Sequence, residues 1–280
     1  MRSQKIAAAA AVCGLLLVGC TTDTAARDSA VEFDYELGRI RLPLDDYLGT
    51  SPEDIAAFVA AREVATAECL KKAGFQYHLP SAAELLKPGY DDDRRYGIWD
   101  VEHAKTFGWK LDSSGHLPPA ATVVSTDALP ALEKCQEGLE VTLIDIGVFD
   151  SSTEISRALM INDETRAQAE ADPKWVEANN KWGECLERRG LTYTEGSLLS
   201  NEAEALLARG VDEASPEEIR LATIEAECNQ EVQMAQTMAD IEAGYQTTAI
   251  RENEAVLNVE LAQVSRQREA ATTYVREHAS

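Results

Sequence analysis

The thiol of Cys20 is the reactive group whose surroundings in the chain say most about its chemistry. It closes the run Leu17-Val18-Gly19-Cys20, where a small residue precedes the cysteine at the end of an apolar stretch from Ile6 to Val18, itself behind basic Arg2 and Lys5. A basic start, an apolar middle and a small-residue cleavage site are the parts of an export signal. The stretch is too short for a comfortable membrane span. Cleavage at the small-residue end of such a segment leaves Cys20 as the residue to be modified. Cys13 is a weaker acceptor, because bulky Val12 precedes it.

These four residues resemble a bacterial lipobox, and the resemblance implies transfer of diacylglycerol to the Cys20 sulfur, cleavage ahead of it and acylation of the new amino terminus, so Cys20 is the expected lipidation site. Residues 1–19 then form a lipoprotein signal peptide, and the small polar residues of 20–30 form a flexible tether. Four further cysteines follow: Cys69, Cys135, Cys185 and Cys228. An even number in an exported domain reads as two disulfides. No two of them lie at C-x-x-C spacing and only four histidines are present, so no metal site is expected.

The rest of the chain carries no familiar catalytic signature. It has no G-x-S-x-G elbow, P-loop, H-E-x-x-H or G-x-G-x-x-G, and no cofactor motif. His78, His103, His116 and His278 have no nucleophile near them in sequence, and no residue is assigned a catalytic role. Paired carboxylates remain open for acid–base work, since 49 acids cannot be sorted by sequence. Asp91-Asp92-Asp93 lacks the spacing and glycine of an EF-hand loop and reads as a solvated acidic turn followed by Arg94 and Arg95. The formal charge is −23, and loss of Arg2 and Lys5 with the signal makes it more negative. Such a chain is repelled by nucleic acid and by anionic lipid.

The elements that position these cysteines come in two copies. Cys69-Leu70-Lys71-Lys72-Ala73-Gly74-Phe75-Gln76-Tyr77 parallels Cys185-Leu186-Glu187-Arg188-Arg189-Gly190-Leu191-Thr192-Tyr193. Each reads as a helix end, with basic residues in the last turn and glycine at the left-handed position. The helices leading in start at Ser51-Pro52 and Asp172-Pro173, each an N-cap followed by proline. A second helix follows each copy and carries Cys135 or Cys228, the latter opened by a capping-box candidate at Ser215-Pro216-Glu217-Glu218. Pairing within each copy is expected, from three connectivities.

The fold class expected is therefore mainly α: two disulfide-stapled helical pseudo-repeats, over 31–150 and 151–280, with a short N-terminal hairpin and a long C-terminal helix. Val31, Phe33, Tyr35 and Leu37, then Ile40, Leu42 and Leu44, alternate as two strands would, Pro43 confining the second to an edge. A helix over 152–170 should turn Ile155, Leu159 and Met160 inward, and a shorter one over 201–209 ends at Gly210. From Pro216 to His278 a single long helix is expected, with Gly244 as its one place to bend. Leu221, Ile224, Cys228, Val232 and Ala235 supply its packing stripe. Its second half either lies on the core or projects as a coiled-coil seam toward a partner. An aromatic insert, Arg95 to Trp109, distinguishes the first copy; core packing accounts for it more simply than a ligand cleft does.

Taken together, Leu42-Pro43-Leu44-Asp45-Asp46-Tyr47, the paired Cys-Leu-x-x-x-Gly-x-x-Tyr motifs, the Arg95–Trp109 segment and the last helix with Cys228 resemble a group of uncharacterised secreted proteins and lipoproteins of actinobacteria. The likeness spans about residues 40–270. It implies export and disulfides and brings no activity. The leading expectation is an anchored, non-enzymatic binding or accessory subunit whose partners are the membrane, through lipid on Cys20, and an envelope protein. An envelope enzyme using carboxylates in an aromatic cleft is the alternative, and a solute-binding protein, which would need two α/β lobes, ranks third.

Overall fold

The computed structural model describes residues 31–110, 126–150, 155–210 and 215–279. Within them the chain is mainly helical. The hairpin is shorter than the alternation suggested: β1 (Phe33–Asp34) pairs antiparallel with β2 (Arg39–Ile40), Phe33 opposite Ile40. Side-chain bonds close it early. Asp34 accepts from the backbone N–H of Glu36 and Leu37, and Asp45 accepts from that of Leu42 at 2.8 Å. The second bond ends the strand and starts helix α1 (Asp45–Leu48). Such local side-chain acceptors compete directly with a ladder.

The two copies fold alike. Helix α2 (Pro52–Lys72) starts at Ser51, whose hydroxyl accepts from Asp54 N–H, and α8 (Pro173–Arg188) starts at Asp172, whose carboxylate accepts from Lys174 N–H. Both end with glycine in the left-handed region, Gly74 at φ 92° and Gly190 at φ 82°. The closing bonds, Phe75 N–H to Leu70 O and Leu191 N–H to Leu186 O, are both 3.0 Å. Each tyrosine then folds back onto its own helix: Tyr77 donates to Glu63, and Tyr193 donates to Asn180 at 2.9 Å. Gly183 makes room for the second of these, since a Cβ there would run into the Tyr193 ring.

Between the copies lie α3 (Ala82–Leu85), α4 (Val101–Phe107), a 3₁₀ turn (Thr126–Ala128), α5 (Leu129–Glu137), α6 (Leu139–Asp145) and α7 (Arg157–Glu170). After α8 come α9 (Asn201–Leu207), α10 (Pro216–Val232), α11 (Met234–Glu252) and α12 (Glu254–His278). The disulfides pair within copies, Cys69 with Cys135 on α5 and Cys185 with Cys228 on α10.

Three expectations need correction. The C-terminal helix is broken twice, and neither break is at Gly244, which lies inside α11. One break is at Gln233, held at φ 58°, and the other at Asn253. At the first, the Asn229 side-chain oxygen accepts from Ala235 N–H at 2.9 Å, which satisfies the turn where a helical carbonyl would. At the second, Asn253 donates its amide to Ala249 O and accepts from Arg157.

Helix α7 starts at Arg157 and shows a different face from the one expected. Ile155, Leu159 and Met160 are exposed, while Ala158, Ile161, Thr165 and Ala169 face inward. The phase is set from outside the helix, because Glu260 on α12 accepts from the N–H groups of Arg157 (2.6 Å) and Ala158 (2.9 Å). Periodicity read from α7 alone cannot register a cap supplied by another helix.

The capping box at Ser215 is half made. Ser215 accepts from Glu218 N–H at 3.1 Å, but the Glu218 carboxyl turns into the core.

Because the C-terminal segment breaks at Gln233, it turns back along α8, with Glu231 at Arg188 and Tyr245 at Asp172. It then continues past Asn253, with Asn253 N–H bonded to Ala249 O and Leu257 N–H to Asn253 O. Helix α11 packs on α7 and α8, and α12 returns to α2. There α12 lies on the core and runs in the same sense as α2, with Arg268 at Asp54 and both Tyr274 and His278 at Glu68. The two copies consequently exchange parts. Tyr96, Ile98, Trp99 and Trp109 of the first share a core with Trp175, Trp182, Leu221 and Met238 of the second. Ala271 and Val275 of the last helix share a core with Ala61, Val64 and Leu143 of the first.

The staples are not equivalent. Cys185 and Cys228 are fully buried and α10 buries a whole face beside them, whereas Cys135 is the only buried residue of α5. On loop-closure grounds either bond stabilises the fold by about 4 kcal/mol. Under graded reduction Cys69–Cys135 should open first, and amide exchange should then rise in α5 while α10 stays protected. Thiol trapping with peptide-resolved hydrogen exchange measures both, and simultaneous loss of the two bonds would contradict the asymmetry.

Candidate functional site

The groups with chemical potential gather where the first copy's insert meets α10. The insert is anchored at its start by main-chain bonds from Asp91 to Leu37 O (2.7 Å) and from Asp93 to Gly38 O (2.8 Å). Gly38 has φ 60° and lies under the Tyr90 ring, where a Cβ would collide. The acidic turn is solvated only at Asp91, not throughout as its sequence suggested. Asp92 and Asp93 have side chains only 6% exposed and pair with Arg94 and Arg95, and Asp91 pairs with the buried Arg39 at 2.8 Å. Folding the turn over the hairpin brings three arginines to the three acids, so mutual charge replaces water. Asp45 joins them; burial pushes its carboxyl up, against the pull of Arg95 and Arg39.

The insert's aromatics are packed side chains. Trp99 meets Phe33 and Tyr35 edge-on at 5.0 Å and donates to Asp93 O. Tyr96 packs on Trp175 at 5.5 Å. The gap enclosed by Tyr90, Asp92, Asp100 and His103 does not admit a water molecule. Arg94 donates to Trp109 O at 2.7 Å and so ties the two ends of the insert together.

Three carboxylates that the sequence could not single out are buried on the C-terminal helices. Glu225 is fully enclosed; it accepts from Ser200 N–H at 2.6 Å and from the Trp109 indole at 3.1 Å. Burial pushes its carboxyl up to about 7, against the hydrogen bonds from Ser200 and Trp109 and the charge of Arg94. Glu218, two turns earlier on the same face, has both oxygens buried without a partner. Glu242 on α11 accepts from the Tyr96 hydroxyl (2.9 Å) and from Arg166 (3.0 Å), whose guanidinium lies 4.7 Å over the Trp175 ring. A signal for these acids did exist, since each occupies an apolar stripe. Glu225 falls between Leu221 and Cys228, and Glu242 follows Met238 and Ala239 and precedes Ala243.

The other sequence candidates are scattered. Cys20 and His116 lie outside the described residues. His103 stacks on Tyr90 at 4.6 Å, with its Nε2 3.7 Å from Asp92, and His278 meets Glu68. Neither imidazole is bonded to a hydroxyl or thiol in the described residues. Among those residues no group of three or more His, Cys, Asp or Glu side chains is placed to hold a metal. On the far side of the molecule two adjoining hollows of about 340 and 630 Å³ run along α12, sharing Arg266. Comparison with protein families, with curated proteins and with solved structures finds no match to this chain.

Glu218 gives the sharpest energetic expectation at this site. A buried carboxylate with no partner costs about 1–3 kcal/mol, partly offset by its favourable place at a helix N-terminus. Glu218→Met, which keeps the length of the side chain, should therefore raise the melting temperature. A fall in denaturant or thermal midpoint would mean that the carboxyl contributes net stability.

Proposed function

We propose that the protein is a membrane-anchored extracytoplasmic lipoprotein that serves as a non-enzymatic binding or accessory subunit of the cell envelope. The observation that carries this reading is Leu17-Val18-Gly19-Cys20 at the end of a short apolar stretch. The two disulfides support it, since such bonds persist in oxidising compartments. Two or three acyl chains on Cys20 would hold the chain stably, where one alone would not. No described helix is long and apolar enough to cross a membrane, so in this reading attachment rests on the lipid. Val31 bonds to Asp240 and Gln236 of α11. The eleven residues from Cys20 to Ala30 reach at most about 40 Å, which sets how far the acidic body stands from the bilayer.

The competing reading, an envelope enzyme working through carboxylates, would draw on Glu225, whose raised proton affinity suits a general acid. Its carboxyl, however, is fully buried, enclosed among the described residues by Trp109, Ser200 and the core around α10. A solute-binding protein of two α/β lobes does not match a mainly helical body.

Metabolic labelling with a palmitate analogue tests the anchor. Wild type should carry label and sediment with membranes, and Cys20→Ala should lose the label and appear in the soluble extracytoplasmic fraction. An unlabelled wild-type chain in the cytosol would end the proposal. In-cell crosslinking of the same pair of strains should enrich a specific envelope protein with wild type only; turnover of an envelope polymer by the pure protein, with no partner enriched, would favour the enzyme.

A further inference from the structure

The contact between the insert and α10 is built around one buried titratable group, Glu225. Glu225 joins two segments that are far apart in sequence, taking the Trp109 indole from one and the Ser200 main chain from the other. Trp182 on α8 faces it with an aromatic ring and donates to its main-chain oxygen at 3.1 Å, contributing no charge. On its own helix the nearest acid along the buried face is Glu218, unpartnered. From the insert the cation acting on it is Arg94, already engaged with Asp92 and with Trp109 O. His103 lies on the Asp92 side of the insert, stacked on Tyr90. The carboxyl is fully buried among the described residues, and the ligand that fits so enclosed a group is a proton.

We infer that Glu225 is a proton-operated latch, which fastens the insert and the Ser200 turn to α10 while its carboxyl is neutral and loosens them when it ionises. The ionised form keeps both acceptor bonds, yet it places a full negative charge in a dry core whose one acting cation, Arg94, is already paired with Asp92. Opening the insert wets the carboxylate and relieves that cost. The sign follows from the direction of the shift. Docking raises the proton affinity from the ordinary 4.5 to about 7. The latch is therefore fully closed below about 4.5 and weakens as pH rises through about 7, with no further change above that. This inference does not depend on the lipid anchor.

Hydrogen exchange by mass spectrometry on the full-length protein in detergent, from pH 5 to 9 and corrected for intrinsic rates, reads the latch directly. Opening of peptides spanning 94–109 and 197–203 should increase more than about tenfold between pH 5.5 and 8.5, while peptides of α2 and α12 stay unchanged. Glu225→Gln should abolish that dependence. Trp109→Phe, which removes a donor to the carboxylate, should move the midpoint to higher pH, and this keeps the test decisive if the Gln variant does not fold. His103→Gln should leave the midpoint where it is. A pH-independent wild type, an unchanged slope in Glu225→Gln, an unmoved midpoint in Trp109→Phe, or loss of the transition in His103→Gln would each overturn the latch.

Discussion

Asn229 uses its whole carboxamide at the point where the chain turns back on itself. Its two N–H groups donate to Tyr96 O and Ile98 O at 3.0 and 3.1 Å, and its oxygen accepts from Ala235 N–H at 2.9 Å. The side chain is buried, so each of these bonds, if lost, would leave a dry polar group and cost about 1–3 kcal/mol. That cost holds Gln233 in the left-handed conformation, which a residue with a side chain adopts at a penalty of about 1–2 kcal/mol. The break in turn lets α11 lie on α7 and α8 and sends α12 back to α2. A straight helix in its place would carry Leu257, Ala271 and Val275 away from the cores they fill.

The same amide docks the aromatic insert, so one interaction joins the two exchanges that knit the copies together. The first copy lends Tyr96, Trp99 and Trp109 to the second, and the second lends its last helix to the first. Neither copy on its own would enclose the apolar surface it presents. The disulfides act at a different level, within copies, by limiting the freedom of the unfolded chain. The internal repeat is thus a repeat of staples and helix ends, while the cores are shared.

Charge is handled in an unexpected way for so acidic a chain. Most acids face water, but a minority is drawn into contacts with the body, several of them buried, with unequal compensation. Asp91, Asp92 and Asp93 meet three arginines, Glu242 meets Arg166 and Tyr96, Glu225 has only neutral donors, and Glu218 has none. This gradient of compensation places the most responsive group on α10, where it meets the insert and two distant segments come together.

What could be read from the sequence was local. Ser51, Asp172 and Ser215 cap their helices, Gly74 and Gly190 end theirs, and the within-copy cysteine pairing follows from the duplicated motif, because each of these depends on residues a few positions away or on a repeat visible in the text of the chain. The aromatic segment read as packing for a similar reason, since large rings rarely stay exposed. The tertiary structure alone decided the rest. The phase of α7 is set by Glu260, 103 residues from Arg157. The break at Gln233 is set by an asparagine that is also bonded to Tyr96, 133 residues away. The fate of the aspartate triplet is set by a hairpin arginine 52 residues before Asp91. A buried polar group declares itself only through its partners, and here those partners come from distant parts of the chain, where no local pattern records them.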